Sequence, residues 1–213
     1  MGNELNALIT RLSARILIVP GKGNSESGHW QSELEARLPN VHRVAQAHWQ
    51  SPNLASWSER VAIAAGGYPG PVVVIAHSFG CLATAHAMTA LAAPISAALL
   101  VAPADPDRFA VHPEWLRAPL PGVNLMVVSE NDPWLTIARA DCLAKMWGAP
   151  HSNVGRAGHI NVASGYGYWP AVETLVAQLL TAINRQPALG LISPGAQATP
   201  LRSEVAANGV ISA

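Results

Sequence analysis

The chain has 213 residues, half of them apolar and only 12% charged, and its acidic and basic side chains balance to no formal net charge. That composition suits one packed domain with a tail rather than a disordered chain. With Lys22 and Lys145 as its only lysines and no basic stripe, the sequence lacks the electrostatic footprint of a nucleic-acid or anionic-membrane binder.

Nothing is assigned before Ser13. The N-terminus shows no basic segment followed by an apolar one, and no apolar run reaches the roughly 18 residues of a membrane span. A soluble, cytoplasmic protein is expected, with Cys81 and Cys142 as reduced thiols. From Arg15 onward, short apolar runs alternate with helix-forming stretches, the rhythm of a parallel sheet covered on both faces. Arg15 to Pro20 reads as the first strand and Ser27 to Leu38 as a helix stopped by Pro39-Asn40. Val41 to Gln46 is a weaker strand. Asn53 caps a helix running to Ala65, with Gly66-Gly67 as terminator. Pro71 to Ala76 is a strand, followed after Ser78 by a helix from Leu82 to Ala93. Ala97 to Ala102 and Asn124 to Ser129 give two more strands. Ala138 to Trp147 is a helix, His151 to Val154 a short last strand and Trp169 to Asn184 a closing helix.

Right-handed crossovers then predict an α/β fold of three layers, with about six mainly parallel strands in the order 2-1-3-4-5-6 and one rim carrying every strand's C-terminal loop. The connection from Pro103 to Gly122, rich in Pro and aromatics and without evident regular structure, reads as a small lid rather than a separate cap domain. The domain is expected over 13–185. The segment 186–213, punctuated by Pro and Gly, is expected to be a flexible tail.

The chemistry-bearing stretch is Val72-Val73-Val74-Ile75-Ala76-His77-Ser78-Phe79-Gly80-Cys81, a strand that delivers a serine into a small-x-Ser-x-Gly turn just before a helix. It resembles the nucleophile elbow of the α/β-hydrolases, with Ala76 where the first glycine of G-x-S-x-G stands. A serine hydroxyl needs a base, and the base an orienting acid, in the order Ser, acid, His. Asp132 follows a strand in Ser129-Glu130-Asn131-Asp132-Pro133, with Glu130 and Asp105 as rivals for the acid. His159, in Gly158-His159-Ile160-Asn161, follows the last strand, whereas His151 begins it at the wrong end. His77 is too constrained by the elbow to serve as base. The oxyanion donors expected are the backbone N–H of Phe79 and that of Lys22, with Gly23 next, from the loop Pro20-Gly21-Lys22-Gly23-Asn24-Ser25. No metal and no cofactor are called for.

Together with His29-Trp30 and the stretch from His48-Trp49 through Pro52 to Trp57, these motifs resemble the small α/β-hydrolases related to retinoblastoma-binding protein 9, from roughly Arg15 to Asn184. The resemblance implies a compact α/β-hydrolase without the usual leading antiparallel strands, and a triad of Ser78, Asp132 and His159. The function expected is a serine hydrolase that cleaves a small carboxylic ester, thioester or amide through an acyl-enzyme on Ser78. Its partner is a small-molecule acyl substrate, with no nucleic acid and no membrane span. His29, Trp49, His77 and Pro133 are expected around the substrate, although Trp30, Trp49 and Trp57 also suit core packing. The alternatives are a lyase or transferase using the same triad, or a non-catalytic interaction module on a hydrolase scaffold. The retinoblastoma-pocket motif L-x-C-x-E does not occur.

Overall fold

A computed structural model describes residues 2–185, so the tail expected over 186–213 lies outside the described residues. Six strands form one parallel sheet in the order β2-β1-β3-β4-β5-β6. They are β1 (Arg15–Val19), β2 (Val41–Arg43), β3 (Val72–His77), β4 (Ala97–Val101), β5 (Val123–Val128) and β6 (His151–Asn153). The central strands are rich in Val, Ile, Leu and Ala and buried on both faces, as a parallel sheet under helices requires. Alternation along each strand divides the core in two. Leu17, Val19, Val74 and Ala76 face one apolar cluster, while Ile16, Ile18, Val73 and Ile75 face the other.

The first cluster lies under α3 (Leu54–Ala65), α4 (Phe79–Thr89) and α5 (Ile137–Trp147); the second under α2 (Trp30–Glu35), α6 (Pro170–Arg185) and α1 (Gly2–Arg11). Asn53 caps α3 by accepting from Ser56 N–H at 3.0 Å, as its sequence position suggests. Trp30, Trp57 and Trp147 are fully buried. Full burial of large apolar side chains contributes roughly 1.5–3 kcal/mol each.

Three expectations need correction. Helix α1 was not foreseen, yet Leu5 and Ile9 are buried against Val172 and Val176 of α6, so the packed unit begins before residue 13. Leu5, Leu8 and Ile9, with Leu12 just beyond the helix, hold the i, i+3, i+4, i+7 spacing of one helix face. Helix α2 starts only at Trp30 because His29 occupies the N-cap, its ring accepting from Gln31 N–H. The connection 103–122 is not structureless: Pro106–Phe109 and Pro113–Leu116 form 3-10 turns. Val111 and Leu116 pack into the first cluster, and Trp147 Nε1 donates to Leu116 O at 3.2 Å, which anchors the connection to α5.

Candidate active site

The turn between β3 and α4 forces Ser78 to φ 54°, ψ −124°, a conformation that costs an ordinary residue on the order of 1–3 kcal/mol. Its N–H donates to Val101 O at 3.1 Å, which ties the elbow to β4. Close approach explains two glycines. A Cβ on Gly80 would collide with the Val19 and Pro20 carbonyls, and one on Gly21 would lie 2.6 Å from Ser78 Cβ. The β1 loop therefore runs directly against the serine.

His159 and Asp132 reach that serine from the loops after β6 and β5. His159 Nε2 lies 3.0 Å from Ser78 Oγ, and its Nδ1 lies 3.0 and 2.9 Å from the two Asp132 carboxylate oxygens. The side chains of His159 and Asp132 are 9% and 3% exposed, so the chain of hydrogen bonds sits largely out of water. Asp132 Oδ1 also accepts from Trp134 N–H at 2.8 Å. Gly158, at φ +56°, turns the chain so tightly that a Cβ there would strike Ser164 Oγ. That hydroxyl accepts from His159 N–H at 3.1 Å.

The rival residues have other partners. Glu130 accepts from Asn153 at an exposed position, Asp105 pairs with Arg139 at 2.6 Å, and His151 lies 3.2 Å from Asp141. His77 Nε2 is 2.9 Å from His159 O and must donate to it, so this ring braces the His159 loop instead of meeting the serine hydroxyl.

Of the expected oxyanion donors, Phe79 opens α4, so its N–H has no partner within the helix. Lys22 N–H has no partner among the described residues. Gly23 is corrected: its N–H donates to Trp49 O at 2.9 Å and is not free to bind an oxyanion.

A cavity of about 390 Å³ opens over Ser78 and His159, and Lys22, His29 and His77 line it. Trp49 and Pro133 do not. Trp49 packs edge-on against Trp57 with centroids 5.5 Å apart, and Pro133 is exposed. Their neighbours Gln50 and Trp134 line the cavity in their place, together with Arg108 and Phe109 from the 103–122 connection. Arg108 sits 5.3 Å over the Trp134 ring. The choice between adjacent loop residues had no sequence signal, because loop side chains follow no period. Arg108 and Phe109 could have been sought in a Pro-bounded turn within the lid segment.

His29 and His77 are both buried. Burial pulls the His29 pKa down to about 4, against an opposing pull from Glu26. Burial also lowers His77 well below the ordinary imidazole value, with His159 and His29 adding to the effect. Both rings are neutral at pH 7. Among the described residues no group of three or more His, Cys, Asp or Glu is placed to hold a metal, and no helix is long and apolar enough to cross a membrane.

Residues 16–178 match the family of serine hydrolases. A YdeN-like hydrolase from Pectobacterium atrosepticum is 33% identical and superposes with a TM-score of 0.79, over 84% of this chain and 98% of its own. The ydeN gene product of B. subtilis is 19% identical, with a TM-score of 0.66 over 79% of this chain and 99% of that one. A phosphonylated esterase from Thermogutta terrifontis, at 15% identity and TM-score 0.59, covers 80% of this chain and 82% of its own and shares the fold. No curated protein matches the sequence.

Proposed function

The chain belongs to the serine hydrolase family, and from that premise we propose that Ser78, His159 and Asp132 form its catalytic triad and cleave a small carboxylic ester, thioester or amide. The observation that carries the reading is the continuous contact from Ser78 Oγ through the His159 ring to the Asp132 carboxylate, at 3.0 and 2.9 Å. His159 Nε2 takes the hydroxyl proton as Ser78 Oγ bonds to the acyl carbon. Asp132, against Nδ1, fixes the tautomer and stabilises the imidazolium. The N–H groups of Phe79 and Lys22 receive the oxyanion, each donor contributing about 3–4 kcal/mol to the transition state. Nε2–H then protonates the leaving group. A water deprotonated by the same nitrogen attacks the acyl-enzyme, the acid is released and Ser78 is restored.

An interaction module would gain nothing from a serine held at positive φ with a cost of about 1–3 kcal/mol. A kinship with the retinoblastoma-binding protein 9 group is part of the same proposal, as is a domain comprising α1 and residues 13–185. We also place the reaction in the cytoplasm, where free cysteines such as buried Cys81 and exposed Cys142 stay reduced.

A fluorophosphonate probe tests the nucleophile. Labelling and p-nitrophenyl acetate hydrolysis are expected in the native protein and absent from Ser78→Ala; labelling that persists in the variant overturns the assignment.

A further inference from the structure

The cavity holds one buried donor that the triad does not use. Backbone N–H of Gln31 donates to His29 Nδ1 at 3.2 Å, which leaves the ring's proton on Nε2. Nε2 has no partner among the described residues, and His29 lines the cavity together with Ser78 and His159. The ring itself cannot swing freely. It is 3% exposed and wedged 5.3 Å from Trp30 and 5.0 Å from His77 between centroids. His77 offers no second donor there, since its Nε2–H is spent on His159 O. Because burial keeps His29 neutral, it presents a fixed N–H without a charge.

We propose that His29 is a substrate-positioning residue whose Nε2–H donates to an oxygen that the substrate carries beside its scissile carbonyl. The substrate is thereby an oxygenated ester, with an ether, hydroxyl or keto oxygen in its acyl or its alcohol part, rather than a plain hydrocarbon ester. The inference rests on the acyl-enzyme reading of Ser78. A buried donor facing a substrate that lacks the acceptor remains unpaired, and that asymmetry lets a single N–H discriminate between substrates of equal size.

Two substitutions separate this role from the ring's service as helix cap. His29→Asn keeps a good N-cap acceptor for Gln31 N–H but is too short to reach the cavity. His29→Gln places an amide nitrogen near the Nε2 position. The substrates are two isosteric pairs: p-nitrophenyl methoxyacetate with p-nitrophenyl butyrate, and 2-methoxyethyl acetate with butyl acetate. Each kcat/KM ratio is divided by the ratio of hydroxide-catalysed rates. The native protein is expected to favour the oxygenated member of one pair by up to about tenfold. His29→Asn should lose that preference and His29→Gln retain most of it; the pair that responds tells whether the oxygen lies on the acyl or the alcohol side. No preference in either pair, or a preference that survives His29→Asn, overturns the proposal. Fluorophosphonate labelling run in parallel keeps the two readings apart. Unlabelled native protein sinks the triad, whereas labelling at Ser78 without any preference sinks only the role of His29.

Discussion

On the side of the cavity that carries Asp132 and His159, the loops are braced to one another. Ala157 N–H donates to Ser129 Oγ at 2.9 Å, Gly158 N–H to Asn131 Oδ1 at 2.8 Å, and Trp30 Nε1 to Ile160 O at 2.8 Å. The part of the lining made by Lys22, Gln50, Arg108 and Trp134 is exposed, and Phe109 beside it is held mainly by ring packing on Phe79, with centroids 4.8 Å apart. On the proposed function, the difference suits the tolerances of two tasks. A misplacement of about 1 Å in a proton-transfer chain costs on the order of 100-fold in rate. A wall that only contacts substrate can rest on adaptable side chains.

The sharpest way to break this comparison is at the acid. Asp132→Asn keeps the volume but replaces a carboxylate oxygen with a donor and favours the wrong imidazole tautomer. We expect kcat to fall by about 10³–10⁴ with KM little changed. A loss under tenfold in steady-state kinetics would mean that the braced side does not govern the chemistry. Gly21→Ala attacks the same geometry from the β1 loop, since the new Cβ would lie 2.6 Å from Ser78 Cβ and 3.2 Å from Oγ. Displacing either group should slow fluorophosphonate labelling by roughly 100-fold. Unchanged labelling would show that the loop yields without moving the serine.

The sheet and the three proposed catalytic positions were legible for a common reason. Strands of Val, Ile and Ala bounded by helices dictate parallel pairing, and parallel pairing gathers the loops after β3, β5 and β6 on one rim. Order along the chain therefore makes Asp132, with Glu130 and Asp105 as rivals, the candidate acid and His159 the candidate base. The finer lining was not legible. The expectation fell on Trp49 and Pro133 where Gln50 and Trp134 line the cavity, one residue away in each case. A strand's two-residue period tells which side chain faces inward, and a loop offers no such rule. Gly23 failed for a different reason: its N–H meets Trp49 O across the chain, a pairing that no local pattern announces. Helix α1 was legible but overlooked, because its apolar stripe stands ahead of the strand–helix rhythm.

A smaller effect is expected at Ser129, whose hydroxyl donates to Asn131 Oδ1 at 3.1 Å while accepting from Ala157 N–H. Ser129→Ala leaves that N–H with only its second acceptor, Gly155 O at 3.1 Å, and removes one tie between the Asp132 and His159 loops. Denaturant unfolding should show a loss of about 0.5–1.5 kcal/mol, the net worth of a lost hydrogen bond. If bracing matters for geometry as well as for stability, kcat should fall about tenfold under conditions where the variant remains folded. Lost stability with unchanged kcat would separate those two roles.

The smallest effect belongs to the exposed lining. Trp134 contributes backbone and side chain to different tasks: its N–H holds Asp132 Oδ1, while its ring, 45% exposed, lies under Arg108 and 6.1 Å from the His159 ring. Trp134→Ala keeps the N–H and removes only the ring. An exposed cation–π contact amounts to roughly 0.5–1 kcal/mol, and its loss frees Arg108 to move. KM should therefore rise by about two- to fivefold, within that energy, while kcat stays within about a factor of three. The opposite split, a large fall in kcat at constant KM, would show that the ring also orients His159. The boundary between braced and adaptable lining would then run on the far side of Trp134.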